Sequence, residues 1–304
     1  MTSIFGRAVL GVTGNRVMRR VITRTSAGKA VAHRFVAGDH LDDAVAVSQR
    51  LNEAGMSVSM DHLGEHVTSA SEARAATDDY LACLDRIASD GLDANISVKL
   101  TQLGMGLDDD AAAMNLDTLA SAAGRIGKSV TVDMEESAHT TTTIEIFAAA
   151  QERHGNLGIA IQSYLHRSVS DLDSIIPLGG HVRLCKGAYA EPEDIAHQSR
   201  RDVDEAFDRL ASILMHSGGV VPAIATHDDD RIEPVLHLAE RRSEPWEFQM
   251  LYGIRRDRQA ELVAAGHSVR VYVPYGIAWY PYFTRRLAER PANLTFFARA
   301  LVGS

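Results

Sequence analysis

The octapeptide YFTRRLAE, residues 282–289, puts two adjacent arginines, a phenol and a carboxylate near the C-terminal end of the chain. Pro281 suits the first turn of a helix and Pro291 bounds it, which predicts a helix over about residues 281–290. At about 100° per residue, Tyr282, Arg285, Arg286 and Glu289 share one stripe of that helix. A stripe of this kind is no apolar docking face. Two guanidiniums can hold a carboxylate or a phosphate bidentately, and the nearby helix N-terminus adds modest positive potential. Alternatively, Arg285 pairs with Glu289 at i,i+4 on a solvated surface. Spacing alone does not separate the two readings.

Other residues able to do chemistry end short β-type runs: Asp61, Lys99, Asp133, Gln162, Arg183 with Lys186, Thr226 with His227, Gln249 and Tyr272. In ISVKLT, alternation puts Ser97, Lys99 and Thr101 on one face and Ile96, Val98 and Leu100 on the other. In VTVDME, Asp133 shares its face with Thr131. Any one of these polar residues reads equally well as a satisfied structural group. Polar ends on nearly every run are harder to dismiss, because buried polar groups need partners. A large polar ligand would supply them.

The elements that must position these residues recur along the chain. Eight β-type runs lie near residues 58–64, 95–103, 129–135, 158–164, 181–187, 220–228, 247–253 and 268–276. Helical windows such as ASEARAATDDYLACLDRIASDG separate most of them. Eight β/α repeats at spacings of about 20–40 residues predict an α/β fold of the (β/α)8, or TIM-barrel, type. Such barrels carry their active sites at the carboxyl ends of the strands, where the polar residues above fall. A doubly wound sheet is the alternative, and the glycine fingerprint expected after its first strand is missing.

Composition sets outer bounds. The chain has 304 residues, 45% of them hydrophobic, and a net charge of −9, which argues against a general nucleic-acid binder. Residues 1–36 depart from this balance with Arg7, Arg16, Arg19, Arg20, Arg24, Lys29 and Arg34 and no acid. Such an arm either docks on the acidic body or touches anionic lipid. The opening MTSIFGRAVLGV lacks a long apolar core and a cleavage site, so no signal peptide is expected, and no apolar run of about 18 residues predicts a membrane span. Cys83 and Cys185 are the only cysteines, which suits a reducing cytoplasm better than a disulfide framework.

Two strings mimic known sites. HLGEH, His62 to His66, has the letters of an inverted zinc motif, but it straddles a strand end and contains Gly64, so no metal site is expected. GRIGKS, Gly124 to Ser129, resembles the tail of a phosphate loop. It lacks the required glycine at Ala122 and precedes a strand rather than following one. A turn with Gly124 or Gly127 past a helix end is the expectation.

The strings SVKLTQLG, VDMEES, IQSYL, VRLCKGAY, ATHD, EFQMLYG and VPYG with YFTRRLAERPANL resemble, in order, the proline dehydrogenase family, flavoenzymes on a distorted (β/α)8 barrel. With no aldehyde dehydrogenase domain following, the likeness is to the short, single-function members. It implies an N-terminal helical arm over residues 1–45, and a catalytic barrel over 46–304 with the C-terminal helix over its mouth. The implied reaction is FAD-dependent oxidation of L-proline to Δ1-pyrroline-5-carboxylate. Electrons would pass to a quinone acceptor, in a cytoplasmic protein that touches the inner face of a membrane through residues 1–36.

Residue by residue, the resemblance implies that Lys99, Arg285 and Arg286 bind the substrate carboxylate, with Glu289 paired to Lys99. Tyr272 and Tyr282 would line the pocket around the proline ring, and Asp133 and Arg183 would be catalytic. Met134, Gln162, Arg183, Lys186, Gly187, Ala188, Tyr189, Thr226, His227 and Gln249 would contact FAD. Asp228, where relatives carry asparagine, departs from the pattern, and so does the short spacing before the arginine pair, which puts an aromatic lid of Trp279 and Tyr280 in question. A barrel lyase using Lys99 as a Schiff-base nucleophile is the rival. A non-catalytic relative is another.

Overall fold

The computed structural model describes residues 32–289, with side chains described through Thr284. Eight parallel strands close into a barrel in sequential order. They are β1 (Ser57–His62), β2 (Ala94–Val98), β3 (Val130–Val132), β4 (Leu157–Gln162), β5 (His181–Cys185), β6 (Val221–Ala225), β7 (Glu247–Leu251) and β8 (Val269–Tyr275). Helix α1 (Leu41–Glu53) precedes β1. After the successive strands come α2 (Ala70–Ser89), α3 (Asp109–Arg125), α4 (Thr140–His154), α5 (Ser168–Ile175), α6 (Arg200–His216), α7 (Asp229–Ala239), α8 (Arg256–Ala264) and α9 (Trp279–Glu289). All eight predicted runs are strands, but most end earlier than the runs do. Lys99, Asp133, Lys186, Thr226 and His227 therefore sit just past strand ends, where loop backbone can turn a side chain toward the mouth.

Local signals set the helix ends. The side chains of Ser69, Asp108 and Ser199 accept from backbone amides in the first turns of α2, α3 and α6. Caps of this kind contribute about 1 kcal/mol each. Of the two glycines in GRIGKS, Gly127 makes the turn, at φ +67°, while Gly124 lies inside α3. α9 begins two residues before the predicted helix, so Pro281 falls in its first turn. The boundary expected at 45/46 falls within α1, which packs on β1 and β8. Most of the arm over residues 1–45 lies outside the described residues. Of its end, Phe35 and Val36 pack with Leu63, Trp279 and Phe283.

The apolar core lies outside the barrel. Val58, Met60, Ile96, Val98, Val182 and Leu184 are buried with Leu84, Leu116, Phe147 and Phe207 of the surrounding helices. Full burial of such side chains contributes roughly 1.5–3 kcal/mol each. Alternation then sends the intervening residues into the lumen. Arg183 on β5 proves the direction: its side chain reaches Ser97 on β2, 2.9 Å, and Gln249 on β7, a span only a lumenal side chain can bridge. Below it, Ser59 donates to Asn95, Asn95 to Thr131 at 3.1 Å, and Thr131 pairs with His181 at 2.7 Å. The imidazole occupies the space that Gly158 on β4 leaves, since a Cβ there would stand 2.2 Å from His181 Nε2. The lumen is thus largely polar where barrels are ordinarily filled by branched apolar side chains. Its groups mostly satisfy one another, so a ligand is not what repays their burial.

Candidate active site

At the carboxyl ends of the strands a cavity of about 1120 Å³ opens. Lys99, Asp133, Met134, Gln162, Arg183, Lys186, Gly187, Ala188, Tyr189, Thr226, His227, Gln249, Tyr272 and Tyr282 all line it. The side chains of Arg285, Arg286 and Glu289 lie outside the described residues.

Asp133 organises the centre. Its Oδ1 accepts from Arg183 Nη1 and from Ser97 Oγ at 2.8 Å, and its Oδ2 accepts from the Tyr272 hydroxyl at 2.8 Å. Lys99 Nζ stands 3.6 Å from the same Oδ2 and 3.1 Å from Asp61 Oδ1. The Arg183 guanidinium also lies 5.2 Å from the centroid of the Tyr272 ring. Burial opposes ionisation of Asp133, but Arg183, Lys99, Ser97 and Tyr272 hold its carboxyl below the usual range. Burial likewise disfavours the Lys99 ammonium, and Asp61 and Asp133 outweigh it, so that Lys99 stays a cation. Burial and the Asp133 charge push the Tyr272 hydroxyl well up, which keeps it a donor.

Asp61 is the residue whose role the sequence hides. Its strand-end position marked it as polar, yet its partnership with Lys99 follows from the stagger of neighbouring strands. It is fully buried, and the Tyr80 hydroxyl approaches its Oδ1 at 3.4 Å. Among the described residues, Asp61 and Asp133 are the carboxylates at Lys99; the expected Glu289 pairing lies outside them.

The other half of the cavity runs along β5 and β6. Gly187 has φ +108°, and a Cβ there would stand 2.2 Å from the Tyr164 ring, so only glycine fits this approach. Lys186 is held by Asp204 and by Asp228 at 2.9 Å, which gives Asp228 a structural role. A phosphate reaching Lys186 would compete with those carboxylates. His227 Nε2 accepts from the Leu251 amide at 2.9 Å, which fixes the ring beside the cavity. Gln162 donates to the carbonyls of Met134 and Glu135, while its buried Oε1 has no hydrogen-bond partner among the described residues. Trp279 and Tyr280 are buried against Phe35 and Phe283 and do not line the cavity. The HLGEH string is not helical; it leaves β1 and passes through His66 at φ +52°. No cluster of three His, Cys, Asp or Glu suited to a metal occurs among the described residues.

Glu135 is a second residue that sequence reading missed. It is buried, accepts from the Thr101 amide at 3.1 Å and pairs with the Thr101 hydroxyl. Burial outweighs those bonds and pushes its carboxyl up to about 7 from an ordinary 4.5. Stability from this raised value is complete below pH 4.5 and is lost as pH rises through 7. Between pH 5 and 8 the loss should reach about 3 kcal/mol. Glu135→Gln is expected to flatten that decline, read as denaturant midpoints at the two pH values. Parallel declines in both proteins would refute it.

A closed (β/α)8 barrel with a buried charged cluster at its strand ends defines an α/β-barrel enzyme. The family model described as proline dehydrogenase matches residues 44–299. Proline dehydrogenase 1 of Bacillus subtilis subsp. natto is 40% identical over 274 residues, 89% of this chain and 90% of that one. Proline dehydrogenase of Deinococcus radiodurans is 35% identical over 280 residues, 90% of each chain. Among solved structures, proline utilization A from Bdellovibrio bacteriovorus inactivated by N-propargylglycine superposes with TM-score 0.82 at 25% identity, covering 90% of this chain and 34% of that longer one. The chain belongs to the proline dehydrogenase family, and proline oxidation is its activity.

Proposed function

We propose that the chain oxidises L-proline to Δ1-pyrroline-5-carboxylate with FAD as its redox group. The observation that carries this reading is the union, in one cavity, of a cationic centre at Lys99 and Arg183 with a glycine-lined approach at Gly187. At about 1120 Å³ the cavity lies just above the roughly 300–1,000 Å³ range of small-ligand sites. Its cationic and backbone-accessible half fits a dinucleotide, and the unpartnered Gln162 Oε1 fits a ligand N–H. Met134, Gln162, Arg183, Lys186, Gly187, Ala188, Tyr189, Thr226, His227 and Gln249 are the residues proposed to hold FAD. Bound there, FAD would supply the hydride acceptor for proline oxidation and the route for its electrons to a quinone.

The protein supplies orientation and charge. Lys99, Arg285 and Arg286 clamp the proline carboxylate, and Tyr272 and Tyr282 bound its ring. Arg183, lining the cavity, would place a positive charge beside the redox group and stabilise its reduced form. Asp133 orients Lys99 and Arg183. Held below the usual carboxylate range and occupied on both oxygens, it is a poor acceptor for the amine proton, which leaves to solvent. Lys99, kept cationic by Asp61 and Asp133, does not suit a Schiff-base lyase, which needs a neutral amine.

The purified protein should be yellow, and anaerobic L-proline should bleach its visible bands. A colourless protein, or a flavin spectrum indifferent to proline, would overturn the reading. Contact with anionic lipid through residues 1–36 belongs to the same proposal; among the described residues no helix is long and apolar enough to cross a membrane. Liposome binding unchanged by deletion of residues 1–36 would remove the arm from it.

A further inference from the structure

We infer that Glu247, at the opposite end of the barrel, is a positioning residue for Arg183 and acts through Gln249. The inference rests on the proposed placement of Arg183 beside the redox group.

Gln249 bridges two charged groups of opposite sign. Its Oε1 accepts from Arg183 Nε, and its Nε2 donates to Glu247 Oε1 at 2.7 Å. A carboxylate only accepts and a guanidinium only donates, so the amide can face them in one orientation alone. Glu247 is fixed in turn by Arg270, whose Nε donates to the same Oε1 at 2.8 Å and whose Nη1 donates to the Val58 carbonyl at 2.9 Å. The result is a chain of oriented groups running up β7 from the base of the barrel to the guanidinium in the active-site cavity.

Glu247 itself cannot be a contact residue. It begins β7, two residues before Gln249, or about 6–7 Å lower at the usual strand rise. It does not line the large cavity. It lines a separate hollow of about 250 Å³ at the amino ends of the strands, together with His181 and Arg270. Burial opposes its charge, but Arg270 and Gln249 hold its carboxyl below the ordinary value, and burial pulls the facing His181 down to about 4. Glu247 is therefore a negative charge, and among the described residues its shortest hydrogen-bonded link to Arg183 is the amide of Gln249. With that acceptor removed, the amide is free to turn and present its NH2 to Arg183, which leaves Nε without an acceptor. The guanidinium then keeps Asp133, Ser97, Ser59 and the Tyr272 ring but loses the one acceptor that fixes its Nε.

The test measures proline oxidation in the FAD-loaded enzyme. Glu247→Leu, which removes the acceptor, should lower kcat about tenfold. Glu247→Gln, whose amide oxygen can still accept from Gln249, should restore most of it. The KM for proline should stay within about twofold, since the carboxylate clamp is untouched. Flavin content in the Glu247 variants should not change. Gln249→Leu should reproduce the loss, and the double variant with Glu247→Leu should be no slower than Gln249→Leu alone. Additive losses, or a wild-type kcat in Glu247→Leu while Arg183→Ala is inactive, would overturn the relay and leave the site reading intact. A wild-type kcat in Arg183→Ala would instead overturn the site reading. If Glu247→Leu does not fold, Gln249→Leu decides alone: it spares the Glu247–Arg270 pair, and a wild-type kcat there would end the inference.

Discussion

Asp133→Ala is expected to lower folding stability by about 3–5 kcal/mol and to slow proline oxidation at least a hundredfold. The carboxylate is 13% exposed and faces two cations that are themselves nearly inaccessible, Lys99 at 8% and Arg183 at 7%. Removing it leaves Arg183 without its carboxylate partner and the Tyr272 hydroxyl without its acceptor. Lys99 would fall back on Asp61 alone among the described residues. An uncompensated buried charge costs far more than the net contribution of the pair it came from. Asp133→Asn separates the two effects, because it keeps the shape and an acceptor for Tyr272 while losing the charge. It should melt between wild type and Asp133→Ala. Equal midpoints in denaturant for all three proteins would show that the two cations do not depend on this carboxylate.

Lys99→Met should be comparably severe for a different reason. The methionine fills the stem volume but leaves Asp61 fully buried beside the Tyr80 hydroxyl alone among the described residues. Among those residues Asp61 Oδ2 already lacks a partner. A loss of about 3 kcal/mol is expected, with a rise of at least tenfold in the KM for proline. The double variant Asp61→Asn/Lys99→Met removes both charges and should recover much of the stability but none of the proline binding. Recovery of both would place Lys99 outside the substrate clamp. Recovery of neither would mean that the pair does not act as a unit.

How much of this was legible follows from the geometry of parallel strands. Outward side chains such as Val58, Ile96, Val182 and Leu184 bury against helices on every strand, so all eight runs announced themselves. Strand ends were less legible, because Lys99 and Asp133 continue the alternation of their strands for one residue after the ladder stops. The rule that polar residues near strand ends face the mouth gathered Lys99, Asp133, Arg183 and Tyr272, which all line one cavity, although Arg183 and Tyr272 lie within their strands rather than at the ends. It could not pair them, because which side chains meet across a barrel depends on strand stagger, which no single segment encodes. Hence the link between Asp61 and Lys99 stayed hidden, and so did the role of Glu247, which looked like an ordinary strand start. Glu135 stands two residues after Asp133, so alternation would have put it on the same face, toward the mouth; the loop after β3 buries it against Thr101 instead.

The polar lumen also separates two events in the life of the molecule. Ser59, Asn95, Thr131 and His181, and likewise Asp133, Arg183, Gln249 and Glu247, find their partners within the chain. Closing the barrel therefore does not depend on a ligand to pair these groups, and whatever fills the cavity at the strand ends can be loaded after the fold is complete.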